Sequence, residues 1–401
     1  MSPVAALPPS ILALPARTPE LAALLESWAH INSGSGNYAG LDRMRAALRT
    51  EFARAFPAAL VEEPALNGTT ARALRVRLRP SATRQILLNG HYDTVYEAGD
   101  PFQTCTRLDT DTLRGPGVAD MKGGLVVLLA ALQAFEQTPA GPALGWEILL
   151  TPDEETGSHG SAPLFIEAAA RHRLALVFEP ARPNGDIVQS RKGTGSFTAT
   201  CRGRAAHAAQ VPSPGRNAIL ALAEFLLAAA KIPAELPGVL LNVGNIRGGS
   251  AATNIVPDFA QSELDVRITR LADREPLLAR LRALAAIVNV RDGINLELTG
   301  SFNRPPKECG PAEESAFAAW QQAARDLCQP PPNWVHSGGG SDGNLLFAAG
   351  LANLDGVGPL GDHLHSNREC VVLSTLASRA QLAALFLTRY AAGEIELARQ
   401  I

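Results

Sequence analysis

Residues 145–160 read GWEILLTPDEETGSHG, an apolar run that changes abruptly into Asp153, Glu154 and Glu155 and then into small, turn-forming residues. The apolar part predicts a strand buried on both faces, as in a parallel sheet covered by helices. Three adjacent carboxylates repel one another, so a solvated turn is the simplest interpretation of the triplet alone. Its position at the end of a buried strand instead favours a site where a cation removes the repulsion.

The segments around this run alternate between strand and helix patterns. Predicted strands are ALRVRL (73–78), RQILLNG (84–90), WEILLT (146–151) and LALVFE (174–179), and predicted helices are GGLVVLLAALQAF (123–135) and APLFIEAAAR (162–171). Such alternation implies right-handed crossovers and a mainly parallel sheet with helices on both faces. The predicted fold class is therefore α/β, and side chains at the carboxyl ends of the strands are the first candidates for function.

The order of elements changes after Glu179. From about residue 194 to 303 the patterns read strand, helix, strand, strand, helix, strand, which is the ferredoxin-like βαββαβ unit and can close as a separate small domain. The chain then returns to alternation and ends in a helical run over 374–393. We therefore predict an α/β domain formed by residues 1–193 and 305–401, with a smaller domain of residues 194–304 inserted between its two parts.

Charge and cysteine content limit the class of protein. The 401 residues contain 36 Lys and Arg against 39 Asp and Glu, without a block of like charge, which argues against a nucleic-acid partner. The five cysteines are scattered and form no C-x-x-C pair, which favours a reducing compartment. The first 20 residues lack the basic segment of a signal peptide, and no apolar stretch reaches the roughly 18 residues of a membrane span. We expect a cytoplasmic protein that binds neither nucleic acid nor membrane and acts on a small molecule or peptide.

Five short motifs fall at predicted strand ends or in the loops that follow them. They are LLNGHYDTV (87–95), GPGVADMKGG (115–124), PDEETGSHG (152–160), LVFEP (176–180) and GDHLHSNRE (361–369). Taken alone, each has an ordinary explanation, such as a surface histidine at His91 or a helix N-cap at Asp120. Together they supply one or two imidazoles and at least three carboxylates, a mixture of nitrogen and oxygen ligands that suits zinc or a related divalent ion.

The order H-x-D, D-M-K-G-G, D-E-E-T-G-S, F-E-P, G-x-A-A-H-A and a late H-S resembles the zinc-dependent metallopeptidase and amidohydrolase family of glutamate carboxypeptidase, acetylornithine deacetylase, succinyl-diaminopimelate desuccinylase and aminoacylase. The resemblance covers almost the whole chain. It implies two zinc ions per chain bridged by Asp120, with cobalt or another divalent ion as the alternative. One ion would be held by His91 and Glu179 and the other by Glu155 and His365. His363, in the same HLHS run, remains the alternative to His365.

The resemblance also implies roles beside the ions. Asp93, two residues from His91, would orient the imidazole, and the peptide bond from Asp120 to Met121 would be cis. Glu154 would be the general base and later the acid, because it is adjacent to a ligand without being one. It could take a proton from a metal-activated water molecule and return it to the leaving amine. Asp153 is expected to support the turn.

The inserted domain carries further candidates. His207, in CRGRAAHAAQVPSPGRNAI, resembles the family's lid histidine, which helps to stabilise the tetrahedral oxyanion and in dimeric members reaches the partner's site. A single split unit predicts a homodimer through this lid and dimerisation domain. The resemblance implies that Asn254 and Arg304 contact the carboxylate or the amide oxygen of the substrate, and a guanidinium suits a bidentate grip on a carboxylate. The amides of Gly339 and Gly340 are expected to meet an anionic end of the substrate.

The resemblance is closest to the glutamate carboxypeptidase branch, because Glu at position 179 is typical of carboxypeptidases and acylases. The predicted activity is hydrolysis of a small peptide or an N-acyl amino acid to release a C-terminal amino acid with a free carboxylate. An N-acyl amino acid deacylase or acetylornithine-type deacetylase is the alternative enzyme. A metal-free binding protein with the same fold is the contrasting class, and the retention of every proposed ligand and of Glu154 argues against it.

Overall fold

The computed structural model describes residues 7–398. Residues 1–6 and 399–401 lie outside the described residues. The two ends of the predicted α/β domain therefore lie outside them too, as does the first part of the N-terminal stretch that was considered as a signal peptide. None of the described helices is both long and apolar enough to cross a membrane.

The chain divides into two compact units. The first unit comprises the described residues up to Ser190, the segment Cys309–His336 and the described residues from Ser341 onward. The second unit comprises Arg191–Glu308 and Ser337–Gly340. The predicted boundaries at 193/194 and 304/305 lie a few residues inside these limits, and the membership of Ser337–Gly340 in the second unit is not predicted by the sequence.

The α-helices of the described residues are α1 (Pro9–Leu12), α2 (Thr18–Ala29), α3 (Tyr38–Ala55), α4 (Lys122–Glu136), α5 (Ala162–Ala169), α6 (Ala218–Ala229), α7 (Ile232–Glu235), α8 (Arg274–Asn289), α9 (Pro311–Asp326), α10 (Asp342–Ala348) and α11 (Ser374–Ala392). Short 3-10 helices occupy Leu14–Arg17, Gly141–Ala143, Glu154–Thr156 and Leu271–Asp273. The strands are β1 (Leu60–Glu62), β2 (Leu74–Leu78), β3 (Arg84–His91), β4 (Thr106–Arg107), β5 (Thr112–Arg114), β6 (Leu144–Thr151), β7 (Leu174–Val177), β8 (Ile187–Arg191), β9 (Gly193–Arg202), β10 (Val239–Gly248), β11 (Phe259–Ile268), β12 (Asn295–Arg304), β13 (Trp334–Ser337), β14 (Ala352–Asp355), β15 (Gly361–Asp362) and β16 (Cys370–Val372).

The main sheet has the strand order β1-β2-β6-β3-β7-β14-β8-β13. Its four central strands, β6, β3, β7 and β14, run parallel, with His91 at the end of β3 opposite Thr151 at the end of β6. The strands β1, β2 and β8 pair antiparallel with their neighbours. The predicted α/β class with a parallel sheet is confirmed, and the antiparallel strands on either side of its centre are an addition that the sequence pattern does not predict.

Alternate side chains of the central strands enter two separate apolar clusters. Leu88 and Ile148 pack in the cluster that contains the buried residues of α2, α4, α9 and α11. Leu87 and Leu149 pack with Phe165 of α5 and with apolar residues of α10 in the other cluster. Because successive strand residues point to opposite faces, helices cover both faces, as predicted, and both faces of the central strands are largely apolar.

A small antiparallel sheet, in the order β15-β16-β5-β4, lies beside the loop that leads into α4. Its strands have only two or three residues each, and Cys370 of β16 pairs with Arg114 of β5. This pairing brings the segment after His365 next to the segment before Asp120.

The second unit is a four-stranded antiparallel sheet in the order β10-β11-β9-β12. Helices α6 and α8 pack on it through a core that includes Phe225, Leu281 and Val266. The chain order of these elements is βαββαβ with the short α7 added before β10, which confirms the predicted ferredoxin-like unit. Strand β10 forms one edge of the sheet and is largely exposed.

Candidate functional site

The carboxyl ends of three parallel strands meet at one edge of the main sheet. His91 is the last residue of β3, Glu154 and Glu155 begin the 3-10 helix after β6, and Glu179 follows β7. The predicted strand over 174–179 ends at Val177, so Glu179 lies in the following loop and not in the strand. Asp120 lies just before α4, and its peptide bond to Met121 is cis, as the resemblance implies.

The first group of ligand atoms consists of His91, Asp120 and Glu179. His91 Nε2 lies 3.0 Å from Asp120 Oδ1 and 3.6 Å from Glu179 Oε1. All three residues are buried, and their ligand atoms lie within 4.8 Å of one another. This spacing is compact enough for a single cation to contact the three residues together.

The second group consists of Asp120, Glu155 and His365. His365 Nε2 lies 3.2 Å from Asp120 Oδ2 and 3.3 Å from Glu155 Oε2. The two oxygens of Asp120 therefore face different groups, one each. The side chain of His365 is 55% exposed, so this group is more open to solvent than the first. His363, the alternative, lies 3.9 Å from Asp362 and belongs to neither group.

The fully buried carboxylate of Asp93 joins His91 to the acidic turn. His91 Nδ1 lies 3.1 Å from the main-chain oxygen of Asp93 and 3.3 Å from its Oδ1. Asp93 also accepts the amide N–H of Glu154 at 3.2 Å, that of Glu155 at 3.1 Å, and the Ser35 hydroxyl at 2.8 Å. These acceptors suit a proton on Nδ1, the tautomer in which Nε2 could act as a ligand to a cation.

The three carboxylates of the opening motif point to different surroundings. Asp153 accepts the amide N–H groups of Gly160 at 2.8 Å and Ser161 at 3.2 Å, which confirms that it supports the turn. Glu155 faces Asp120 and His365. Glu154 is buried, and its charge contributes to the raised pKa of both His91 and Glu155, so it lies close to both groups.

The electrostatics of the two groups show crowding of negative charge. Burial and the charge of Asp120 raise the pKa of Glu155 to about 8. Hydrogen bonds to Asp120 and Glu155 raise the pKa of His365 to about 11. Burial opposes the charged form of His91, but hydrogen bonds to Asp120 and Asp93 outweigh it and raise its pKa well above the usual value. Raised pKa values favour bound protons, which offset the negative charge of the crowded carboxylates. Divalent cations bound to these nitrogen and oxygen atoms would offset the same charge in place of the protons.

Two buried carboxylates near these groups are not predicted by the sequence. Glu369 accepts amide N–H groups of the loop before α4. Asp342 accepts the hydroxyl of Thr151 at 2.9 Å and that of Ser158, which holds both ends of the acidic turn. Asp342 is the first residue of α10, and Glu369 is the last residue of the motif GDHLHSNRE (361–369). Neither follows an apolar strand directly, so position and residue type do not single them out.

The remaining predicted residues lie in the second unit. His207 is exposed and its Nδ1 accepts the amide N–H of Ala209 at 3.2 Å, while the adjacent residue Ala208 donates to the Asn254 main-chain oxygen at 2.8 Å. Arg304 is the last residue of β12 and is buried. Gly339, next to Gly340, donates its amide to the Ser337 hydroxyl at 3.3 Å. The structure thus brings His207 and Asn254 together and places the two glycines in the same unit.

Comparisons with known proteins agree with this arrangement. The sequence profile of peptidase family M20/M25/M40 matches residues 87–389. Carboxypeptidase G2 of Pseudomonas sp. (strain RS-16) is 26% identical over 324 residues, which cover 79% of this chain and 77% of that protein. Succinyl-diaminopimelate desuccinylase of Paracidovorax citrulli is 30% identical over 310 residues, which cover 73% of this chain and 77% of that protein.

Solved structures share the fold. Aminopeptidase PepT from Bacillus cereus superposes with a TM-score of 0.78 at 22% identity, covering 93% of this chain and 99% of that chain. Bacillus subtilis YXEP, a dinuclear metal binding peptidase from the M20 family, gives a TM-score of 0.69 at 14% identity, covering 96% of this chain and 99% of that chain. At these identities the likeness concerns the fold alone.

Proposed function

Because the chain belongs to peptidase family M20/M25/M40 and is a metallohydrolase of peptide or linear amide bonds, we propose that it releases a C-terminal amino acid with a free carboxylate. One observation carries this proposal: the two oxygens of Asp120 face two separate ligand groups, each with one histidine and one further carboxylate. Such a shared carboxylate suits a pair of divalent ions. The name carboxypeptidase G2, given to a relative, supports the direction of cleavage.

His91, Asp120 and Glu179 would hold one ion, and Asp120, Glu155 and His365 the other. Zinc fits the mixture of imidazole and carboxylate ligands, with cobalt or another divalent ion as the alternative. Two such ions, when bound, lower the pKa of a water molecule towards about 7 and polarise the substrate carbonyl. The raised pKa of Glu155, caused by burial and by the charge of Asp120, supports a site that gains from added positive charge.

Glu154 would act as the general base. Its carboxylate would accept a proton from the attacking water and later donate it to the nitrogen of the leaving amine. Asp93 would act through His91, since it would accept the Nδ1 proton and so orient the ring with Nε2 on the side of Asp120 and Glu179. The acidic turn therefore would supply a ligand and a base from consecutive residues.

The second unit would bind the substrate. Arg304, always charged, would pair with the carboxylate of the substrate's C-terminal residue, while Asn254 and the amides of Gly339 and Gly340 would contact its polar groups. His207 would stabilise the oxyanion of the tetrahedral intermediate. The exposure of His207 and its closeness to Asn254 in the second unit support a role at a binding surface.

We also propose a homodimer through the second unit. Its edge strand β10 exposes Leu240 and Ile246, and α6 exposes Leu220 and Leu227, which lie seven residues apart on one helix face. An exposed apolar edge strand is prone to pair with another chain, and a second copy would cover it. The five cysteines, all free, support a reducing, cytoplasmic compartment.

A second candidate function is deacylation of an N-acyl amino acid. Relatives named succinyl-diaminopimelate desuccinylase reach 30% identity to this chain, and both reactions hydrolyse an amide whose leaving part carries a carboxylate. The two candidates differ in the acyl side of the substrate, so the chemistry assigned to Glu154 and to the ions is the same for both.

The test is a substrate panel combined with metal analysis of the purified protein. Dipeptides and N-acyl amino acids ending in Glu, Ala or Lys would be offered with free and with amidated C-termini, and released amino acids identified by mass spectrometry. We expect zinc-dependent, chelator-sensitive release of the C-terminal residue from the free acids and a large loss with the amides. Less than one divalent ion per chain, with no hydrolysis after addition of zinc or cobalt, would favour a binding protein.

A further inference from the structure

The loop that carries Asp120 is held by the carboxylate of Glu369, which lies just before β16. Glu369 is fully buried. Its Oε1 accepts the amide N–H of Ala119 at 2.8 Å and that of Asp120 at 3.0 Å, and its Oε2 accepts the amide of Gly117 at 3.2 Å. A buried carboxylate loses its hydration, and three amide donors from one short loop compensate for that loss. The same three bonds fix the main chain of the loop.

The segment 365–369 therefore touches Asp120 in two ways. His365 Nε2 lies 3.2 Å from the Asp120 carboxylate, and four residues later the Glu369 carboxylate holds the Asp120 main chain. The main chain of Glu369 adds a further link, because its carbonyl accepts the amide of Gly115 at 3.1 Å. The loop from Gly115 to Asp120 is therefore joined to Glu369 both through its main-chain carbonyl and through its side chain.

Residues around Glu369 restrict movement of its carboxylate and of the loop that it contacts. The Tyr96 hydroxyl donates to the Ser366 carbonyl at 2.8 Å and also lies next to the Glu369 carboxylate. Gly117 has a left-handed φ of +70°, and a Cβ there would lie 2.7 Å from Thr94 Cγ2. The conformation of the loop at Gly117 therefore leaves little room for change. In this conformation its three amide N–H groups point to the two oxygens of one carboxylate.

We propose that Glu369 is a positioning residue, which fixes the Asp120 carboxylate between the two ligand groups and thereby sets the affinity for both metal ions. This inference rests on the proposed function, in which Asp120 bridges the ions. Ligand atoms must lie within about 0.2 Å of their ideal distances, so a small shift of the loop would weaken both sites together. Glu369 itself contacts the loop amides and is assigned no contact with an ion.

Glutamine is the informative replacement, because it keeps the size of the side chain and removes one acceptor. Its amide oxygen could serve two of the three N–H groups, but its NH2 group would then face the third donor. A matched control is Glu313→Gln. Glu313 is also fully buried and accepts a backbone N–H, that of Gly310 at 3.1 Å, at the start of α9, and it belongs to neither ligand group.

The experiment measures zinc dissociation constants of the full chain by competition with a chromophoric chelator, with the cobalt absorption spectrum as a second readout. For E369Q we expect affinity to fall about 10- to 100-fold at both sites, as for other residues that orient ligands, with an altered cobalt spectrum. E313Q should bind zinc as the wild type does. Thermal unfolding of the metal-free variants measures the stability loss that both substitutions share.

Several outcomes would overturn the proposal. A folded E369Q with wild-type affinity shows that Glu369 does not position Asp120. Weakening of the His365 site alone shows that Glu369 orders only its own segment. A wild-type protein that binds no zinc removes the proposed function itself, and this result is read before any variant. If E369Q does not fold, Tyr96→Phe serves as the second variant, because the Tyr96 hydroxyl lies next to the Glu369 carboxylate. We expect this variant to bind zinc several-fold more weakly at both sites. Unchanged zinc affinity would contradict the proposal.

Discussion

Glu147 lies in a strand and Glu155 in the turn that follows it, and the side chains are only 2% and 7% exposed, yet their surroundings are opposite. Glu147 lies within β6 and has basic side chains on several sides: Arg75 at 3.2 Å, Arg171 at 2.9 Å and His172 at 3.1 Å. Burial alone would raise the pKa of Glu147, but the hydrogen bond to His172 and the interactions with Arg171 and Arg75 lower it below its usual value.

Glu155 has no comparable set of protein cations. Its ion pair among the described residues is with His365, and burial together with the charge of Asp120 raises its pKa to about 8. A carboxylate matched by arginines is a structural ion network. A carboxylate crowded by other carboxylates and histidines gains from a cation that the chain does not supply, which is the mark of a ligand site. The following variants test this distinction.

Asp120→Asn should have the largest effect, because one carboxylate faces both groups. A neutral amide keeps one accepting oxygen and cannot balance the charge of two cations, so we expect loss of bound zinc and of hydrolysis together. Metal content after dialysis, measured by plasma mass spectrometry beside turnover, tests this. A variant that keeps two ions per chain would show that Asp120 does not bridge them.

Glu154→Gln should separate chemistry from metal binding. We expect turnover to fall about 100- to 10,000-fold, the range for loss of a general acid or base, because the amide cannot accept the proton. Zinc content should stay at the wild-type level. Glu167→Gln, on the solvent side of α5, is the control. Near-normal turnover of the Glu154 variant would show that Glu154 is not the general base.

Asp93→Asn should have an intermediate effect. The Asp93 carboxylate serves two amides, the Ser35 hydroxyl and His91, and an asparagine replaces one of its oxygens with a donor. We expect zinc affinity at the His91 group to weaken about 10- to 100-fold, with a smaller loss at the His365 group, which Asp93 contacts only through the amide of Glu155. Equal weakening at both groups in chelator competition would argue against a specific effect through His91.

Glu147→Gln should leave zinc affinity and turnover unchanged and lower the free energy of unfolding by about 3 kcal/mol, the lower range for breaking a buried ion pair. The pKa of Glu147 is lowered in the folded state, so its contribution is complete above its ordinary pKa of 4.5 and is lost as the pH falls further. Urea unfolding of metal-free protein at several pH values should therefore show the difference from wild type shrinking in acid. A difference that is constant with pH would contradict the ion-network interpretation.

The sequence predicts those elements of the fold whose apolar pattern is strong. Strands β3 and β6 and helix α4 lie within two residues of their predicted limits, because a strongly apolar run leaves few alternatives. The strands β4, β5, β15 and β16 have two or three residues each. Their pairing depends on contacts between distant segments, and no local periodicity indicates it.

In the site, too, some residues can be predicted from local sequence and others cannot. Residues at the ends of apolar strands, such as His91 and Glu155, can be found by position and residue type. Glu369 cannot, because its partners are amides about 250 residues earlier in the chain, and a backbone amide leaves no trace in residue identity. His363 and His365 share one loop and both have left-handed φ values of 56° and 58°, so only the three-dimensional structure shows which imidazole reaches Asp120.

The hydrogen bond from Ser35 to Asp93 has a practical consequence for anyone who shortens this protein. The family profile begins at residue 87, so Ser35 lies well before it, in the loop between α2 and α3. A fragment cut at the profile limit would keep every candidate ligand and still lose a donor that holds the partner of His91. Expression trials and domain grafts should therefore carry the first two long helices along with the profile-matched part.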